Sequence, residues 1–376
     1  MINKIRILEE FLTLVKISSP TGNERQIADY LKNLLTDIGL TVTEDKTGES
    51  FGGNCGNVIA YLNSTKANTP TLLLSAHMDC VNPCENVKPR LTNGMITSDG
   101  TTILGGDDKA GIASILEAIR IVEEKEIPHG GIQVIFTVAE EGGLNGSKYL
   151  DKEWIKSDFG FCLDSSGNPG KVIIKAPGQD NITAKIKGKS AHAGIAPESG
   201  INAITIASKA IATMKSGRID EETTANIGII HGGIATNIVP EYVEIFCEAR
   251  SCSPQKLANQ TKHMSDTFSK VAIENKASID IILEHEYSSY ELDTSSQLIQ
   301  IATEAIKNAH IDLELAATGG GSDANYFNAK GLPCAVLGVG MSKVHTTEEF
   351  IREEDLYKTT TIVLELIKSC ANKVKL

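Results

Sequence analysis

Apolar residues recur along this chain with two periods that alternate. Ile5, Leu8, Leu12 and Val15 keep helical spacing, as do Ile27, Leu31, Leu34, Leu35 and Ile38, after which Gly39 is placed to end the helix. Thr21-Gly22-Asn23-Glu24 has the form of a capping box at the start of that second helix. Apolar runs at 57–62, 71–76, 131–139 and 159–163, with a shorter one at 40–44, read as strands, and 110–124 reads as a helix among them. Strands alternating with helices of this length predict an α/β layer rather than a sandwich or a bundle.

The pattern shifts near Pro177-Gly178-Gln179. From 183 to 187 apolar and polar residues alternate like a half-exposed strand, and the segment to Tyr287 reads strand, helix, strand, strand, helix, strand. Its helices fall at 201–214 and 254–273, its further strands at 225–230, 243–249 and 278–283. We read this as a separate α+β module. A helix at 297–309, a buried strand at 333–339 and a closing helix at 354–371 then return the chain to the first domain.

Composition narrows the class. A chain of 376 residues suggests two domains, and 41% hydrophobic with 22% charged residues describes a soluble globular protein. The net charge of −12 argues against a phosphate backbone as partner, so no nucleic acid is expected. No uncharged apolar stretch approaches the roughly 20 residues of a membrane span, so no membrane partner is expected. Glu9 and Glu10 interrupt any signal-peptide apolar region, which assigns the first helix to the fold. The eight cysteines form no C-x-x-C, and several sit in apolar runs as small hydrophobes, which fits a reducing, cytoplasmic setting.

The chemistry stands at the ends of the strands. The 71–76 run delivers His77 and Asp79; the 131–139 run delivers Glu140 and Glu141; Asp107-Asp108 follows a glycine turn; Asp164 closes the 159–163 strand. In open α/β sheets, side chains just past several strands converge on one crevice. With His345, the set His77, Asp107, Glu141 and Asp164 divides as one bridging carboxylate and two further ligands for each of two divalent ions. Imidazole and carboxylate suit zinc, with cobalt or manganese as substitutes. Asp79, two residues after His77, is placed to accept the other imidazole N–H. Adjacent Glu140 and Glu141 would face opposite ways, so one binds metal while the other takes a proton from the attacking water and returns it to the leaving amine.

Other polar residues have plainer readings. Cys80 and Cys84 lack a second pair at zinc spacing. His129, His231, His263, His285 and His310 read as surface or capped histidines, and Glu123-Glu124, Glu221-Glu222 and the acids at 353–355 as solvated charges. Gly319-Gly320-Gly321-Ser322-Asp323 lacks the spacing and lysine of a phosphate cradle; its glycines instead let backbone approach a substrate.

Taken together, Ser75-Ala76-His77-Met78-Asp79, Gly105-Gly106-Asp107-Asp108-Lys109, Ala139-Glu140-Glu141-Gly142-Gly143, Leu163-Asp164, Ser190-Ala191-His192-Ala193-Gly194, Thr236-Asn237-Ile238-Val239-Pro240 and Gly320-Gly321-Ser322-Asp323-Ala324 carry a resemblance over essentially the whole chain. The sequence resembles the peptidase T-like branch of the zinc aminopeptidase, glutamate carboxypeptidase and aminoacylase superfamily. That resemblance implies a mixed sheet flanked by helices, with a catalytic domain of 1–179 and 287–376 and an inserted lid and dimerisation domain of 180–286. It implies Asp107 as the bridge before a cis peptide bond, His77 and Asp164 on one zinc ion, Glu141 and His345 on the other, Glu140 as base and Asp79 as orienter. It further implies that His192, from its own chain or a partner's, stabilises the developing oxyanion, and that lid closure brings Arg250 to clamp a peptide carboxylate. Asn237 would bind the peptide backbone, and Gly320 and Gly321 would line the pocket.

Aspartate rather than glutamate at position 164 is similar to the aminopeptidase branch, so the expected substrate is the N-terminal bond of a short peptide. The stretch 345–350 departs from strict tripeptidases, which leaves substrate length open. Two rivals stand beside this reading. One is an N-acyl amino acid deacylase or carboxypeptidase on the same scaffold; the other is a catalytically silent, metal-containing peptide-binding protein.

Overall fold

Four apolar runs become neighbouring parallel strands. The structure is a computed structural model and describes residues 2–375. Ile132–Thr137, Leu72–His77, Phe159–Ser165 and Cys334–Gly338 lie side by side in that order. Leu72–His77, Ile132–Thr137 and Cys334–Gly338 are buried at every position. A parallel sheet covered on both faces has no solvent side, which is why these strands read as unbroken apolar runs. Antiparallel strands extend the sheet: Val58–Leu62 and then Thr41–Glu44 beyond Ile132–Thr137, and Lys171–Ala176 beside Cys334–Gly338.

Helices Lys4–Leu14, Arg25–Ile38, Gly106–Glu124, Gln297–Asn308 and Glu353–Cys370 pack into the same core, with Phe11, Phe136 and Phe161 wholly buried in it. Gly111 lets one of them come close. A Cβ there would stand 2.7 Å from the carbonyl oxygen of Leu163 and 2.5 Å from Asp108 Oδ1, so only glycine fits where Gly106–Glu124 passes over the Asp164 strand.

The chain divides into two units. One comprises the residues up to Ile174, Leu292–Ala317 and the residues from Ser322 on; the other comprises Lys175–Glu291 with Thr318–Gly321. The division therefore falls outside 180 and 286. Tyr290 pairs with Ala176 and Glu291 with Lys175, so the outgoing and returning segments are zipped together beyond the expected boundary. The second unit is a five-stranded antiparallel sheet in the order Gly217–Arg218, Thr223–Gly232, Tyr242–Ser251, Gly178–Lys187, Ser278–Tyr287. Val243, Ile245, Cys247 and Ala249 bury one face of it against the helices Ala203–Thr213 and Pro254–Glu274, while Phe246 between them points outward.

One sequence reading needs correction. The Thr21–Glu24 segment is not a capping box. Glu24 is the N-cap of Arg25–Ile38 without a side-chain cap bond, and Arg25 N donates instead to Asn54 Oδ1 at 3.0 Å. A small sheet of Arg90–Thr92, Met95–Thr97 and Phe350–Arg352 was not anticipated, because each strand is three residues long and one comes from far along the chain.

At the sheet edge, Glu44 accepts from Arg25 Nη2 at 2.6 Å, Lys32 Nζ at 2.8 Å and Gly56 N at 3.1 Å. Burial alone would raise this carboxyl, but the two cations outweigh it and hold it down at about 2. A folded value below the ordinary 4.5 contributes stability that is complete above 4.5 and lost as the pH falls toward about 2. Glu44→Gln should therefore lower unfolding stability at pH 7 by on the order of 1 kcal/mol at most, since the group meets solvent. Denaturant titrations from pH 7 to pH 3 should show the gap to wild type narrowing; a gap that widens on acidification would contradict this account.

Candidate metal centre

The carboxyl ends of the four parallel strands carry the site. His77 is the last residue of its strand, Asp164 lies near the end of Phe159–Ser165, and Glu140 and Glu141 follow Ile132–Thr137. Asp107 enters at the start of Gly106–Glu124, where Asp107 and Asp108 have non-helical backbone angles and the bond joining them is cis. His345 belongs to the loop beyond Cys334–Gly338 and has a positive φ of 64°.

These five side chains meet. His77 Nε2 lies 3.0 Å from Asp107 Oδ1 and 3.7 Å from Asp164 Oδ1. His345 Nε2 lies 3.3 Å from Asp107 Oδ2 and 2.7 Å from Glu141 Oε1. Two ligands held at about 2.0–2.1 Å by one tetrahedral ion stand roughly 3.3 Å apart, so these spacings fit two donor groups, each around a common centre. Asp107 turns one oxygen to each group, the geometry a bridging carboxylate requires. The sets His77, Asp107, Asp164 and Asp107, Glu141, His345 each bring one ligand atom per residue within 4.8 Å of the others.

Electrostatics point the same way. Burial first, then the Asp164 charge, pushes the Glu140 carboxyl well above the usual range, and burial does the same to Asp164 and Asp108. Burial would also raise Asp107, yet the two imidazoles bring it below the ordinary value. Contact with Asp107 and then Glu141 pushes His345 up to about 10. Buried carboxylates this crowded are ones that divalent cations would stabilise. The tautomer agrees, since His77 Nδ1 donates to the backbone carbonyl of Asp79 at 2.9 Å, leaving the Nε2 lone pair for a cation.

Asp79 works differently from the sequence expectation. Its carbonyl oxygen, rather than its carboxylate at 3.5 Å, is the near partner of His77. The carboxylate is wholly buried and accepts from Glu140 N at 2.9 Å, Glu141 N at 3.2 Å and the Thr21 hydroxyl at 2.8 Å. Glu24 Oε1 accepts from Ala139 N at 3.0 Å, so two carboxylates hold three successive N–H groups. Ala139 adopts a φ of 47° in the turn that leads into the two glutamates. Thr21 and Glu24 were visible in the sequence but spent on a helix cap. Glu349, which binds the Asp107 turn, carried no sequence signal beyond being an acid among acids.

In the second unit, the His192 and Asn237 segments run together through an isolated bridge between His192 and Ile238, with Ala193 N donating to Asn237 O at 2.9 Å. His192 is exposed, its Nδ1 accepting from Gly194 N at 3.2 Å. Arg250 grips Glu248 bidentately, both contacts at 2.9 Å. A Cβ at Gly321 would stand 2.3 Å from the Tyr287 ring, whereas Gly320 has open space around it. His285 bridges Asp180 at 2.7 Å and Ser288 at 3.0 Å, and buried His129 bonds the Gly130 carbonyl.

Imidazoles and carboxylates gathered around Asp107 at the ends of parallel strands are a set that could hold divalent metal. Comparison with known proteins makes that specific: the chain belongs to the peptidase family M20/M25/M40, whose signature matches residues 73–369. It is 45% identical to the uncharacterised protein YqjE of Bacillus subtilis over 99% of this chain and all of that one. Peptidase T of Escherichia coli is 25% identical over 98% of this chain and 99% of its own length. Aminopeptidase PepT from Bacillus cereus superposes with a TM-score of 0.93 and a tripeptidase from Staphylococcus aureus with 0.96, each at 44% identity over 99% of this chain and 100% of the other. The chain is thus a metallopeptidase of the peptidase T-like branch. Among the described residues no helix is long and apolar enough to cross a membrane.

Because Asp79 satisfies two buried N–H groups and a hydroxyl, Asp79→Ala should cost about 2–5 kcal/mol, visible as a fall in melting temperature of the chelator-treated protein. An unchanged melting temperature would mean that the Glu140 turn is held by something else.

Proposed function

We propose that this chain is a cytoplasmic two-metal exopeptidase that removes the N-terminal residue of short peptides, tripeptides among them. The observation that carries the reading is Asp107, whose two oxygens face two different imidazoles with the Glu140 carboxyl beside them. Asp107 would bridge, His77 and Asp164 would hold one ion, and Glu141 and His345 the other; zinc is the expected metal, with cobalt or manganese able to replace it. When bound, the ions polarise the scissile carbonyl and acidify the attacking water. Glu140 takes the water's proton and passes it to the leaving amine. Asp79 fixes the backbone of both glutamates and, through its carbonyl, the His77 ring.

His192, from this chain or a second copy, donates to the developing oxyanion. Arg250 clamps the peptide carboxylate, for which its planar guanidinium is suited. Asn237 binds the peptide backbone, and Gly320 and Gly321 line the pocket. A homodimer through the second unit is supported by the outward-facing Ile229, Ile230, Phe246, Ile282 and Leu283. The cytoplasmic setting is supported by cysteines that are all free.

Amine release from tripeptides with free and with acetylated N-termini, measured beside metal content, tests the reading. Free tripeptides should be cleaved, activity should vanish on chelation and return with zinc, cobalt or manganese, and two ions should bind per chain. Preference for acetylated peptides would replace the aminopeptidase reading with a deacylase; binding without cleavage would favour the silent protein. Glu140→Ala should lower kcat by about 100- to 10,000-fold while metal content holds.

A further inference from the structure

Glu349 is 1% exposed and carries a carboxylate into the metal-bearing unit where backbone alone receives it. Its Oε2 accepts from Leu104 N and Gly105 N, both at 2.8 Å, and its Oε1 from Asp107 N at 3.0 Å. These donors line the turn that leads into Gly106–Glu124, ahead of its regular helical part, since Asp107 and Asp108 keep non-helical backbone angles. The site is tightly built, for a Cβ on Gly106 would come 3.1 Å from Glu349 Oε1.

The other end of the same residue belongs to the His345 loop. Ser342 and Phe350 close that loop by exchanging N–H···O bonds of 3.0 and 3.1 Å, and Glu349 N donates to Thr346 O at 3.1 Å. His345 sits at its bend, half exposed and with positive φ. His345 itself lies in no helix or strand, whereas His77 and Asp164 lie in strands of the buried sheet. One carboxylate therefore ties the turn that presents Asp107 to the loop that presents His345.

We propose that Glu349 is the positioning residue of one metal position: it sets the spacing of Asp107 and His345, and the ion held by Asp107, Glu141 and His345 depends on it more than the ion held by His77, Asp107 and Asp164. This rests on the two-metal reading above. The chemistry explains why a glutamate is needed. Two anionic oxygens accept all three N–H groups, whereas a glutamine in the same place would turn its NH₂ toward at least one of them and leave that donor unpaired.

Glu349→Gln and Glu349→Asp, stripped with chelator and titrated with Zn²⁺ in a calorimeter, test the proposal, with His345→Ala marking which binding step belongs to the His345 position. The expected result is two steps in wild type, with the step lost in His345→Ala weakened about 10- to 100-fold in Glu349→Gln. The other step should stay within about threefold of wild type, and Glu349→Asp, which keeps both oxygens on a shorter stem, should fall between. Equal weakening of both steps, or wild-type affinities together with a lowered melting temperature, would overturn the proposal by leaving Glu349 a purely structural role. If Glu349→Gln does not fold, Glu349→Asp decides between the same outcomes. A wild type that takes up fewer than two ions overturns the two-metal reading itself, a failure distinct from two ions bound equally well with and without Glu349.

Discussion

Negative charge crowded out of water is the constraint on which the site depends. Asp107, Asp108, Glu140, Asp164 and Glu141 gather at one end of a sheet whose interior is closed to solvent. Isolated buried carboxylates cost several kcal/mol each unless paired, and two imidazoles are too few partners for so many acids. The arrangement is costly as an apolar core and well suited to divalent cations. Everything around it either delivers these groups or holds them apart.

The delivery uses the sheet, and the holding uses further carboxylates bound to backbone. Asp79, Glu24 and Glu349 each accept from main-chain N–H groups, at Glu140–Glu141, Ala139 and the Asp107 turn respectively. A lysine or arginine at these places would neutralise the acids it supports and compete with a metal for them. Neutral N–H donors satisfy the supporting carboxylates without adding a cation, so the ligand oxygens keep their affinity. The same economy explains Asp79, whose carbonyl rather than carboxylate takes the His77 N–H: the carboxylate is already committed to the neighbouring turn.

Much of this was legible because period and chemistry coincided. The buried strands read as apolar runs, and His77, Glu140–Glu141 and Asp164 at or just past the ends of three of them marked the side on which these groups meet. What stayed hidden depended on distance in sequence. Thr21 and Glu24 fit a helix cap by local pattern, and only the fold shows that Asp79 and Ala139 lie within their reach. The strand Phe350–Arg352 acquires its partner, Met95–Thr97, from the other end of the chain, and no periodicity in three residues could reveal it. Glu349 looked like its neighbour Glu348, which is exposed and paired with Lys343 at 2.5 Å; burial alone separates their roles.

The spread of the ligands along the chain also ties the metal to the fold. His77 and His345 come from opposite ends, and the segments between them include an entire second unit. The five side chains come together only once the parallel strands have paired and the His345 loop has closed, so no local segment of the unfolded chain carries the whole set. Ions bound to the native state alone stabilise it by mass action, about 4 kcal/mol for a free concentration a thousandfold above the dissociation constant. Metal bound at the proposed site would thus offset the repulsion among the acids that hold it.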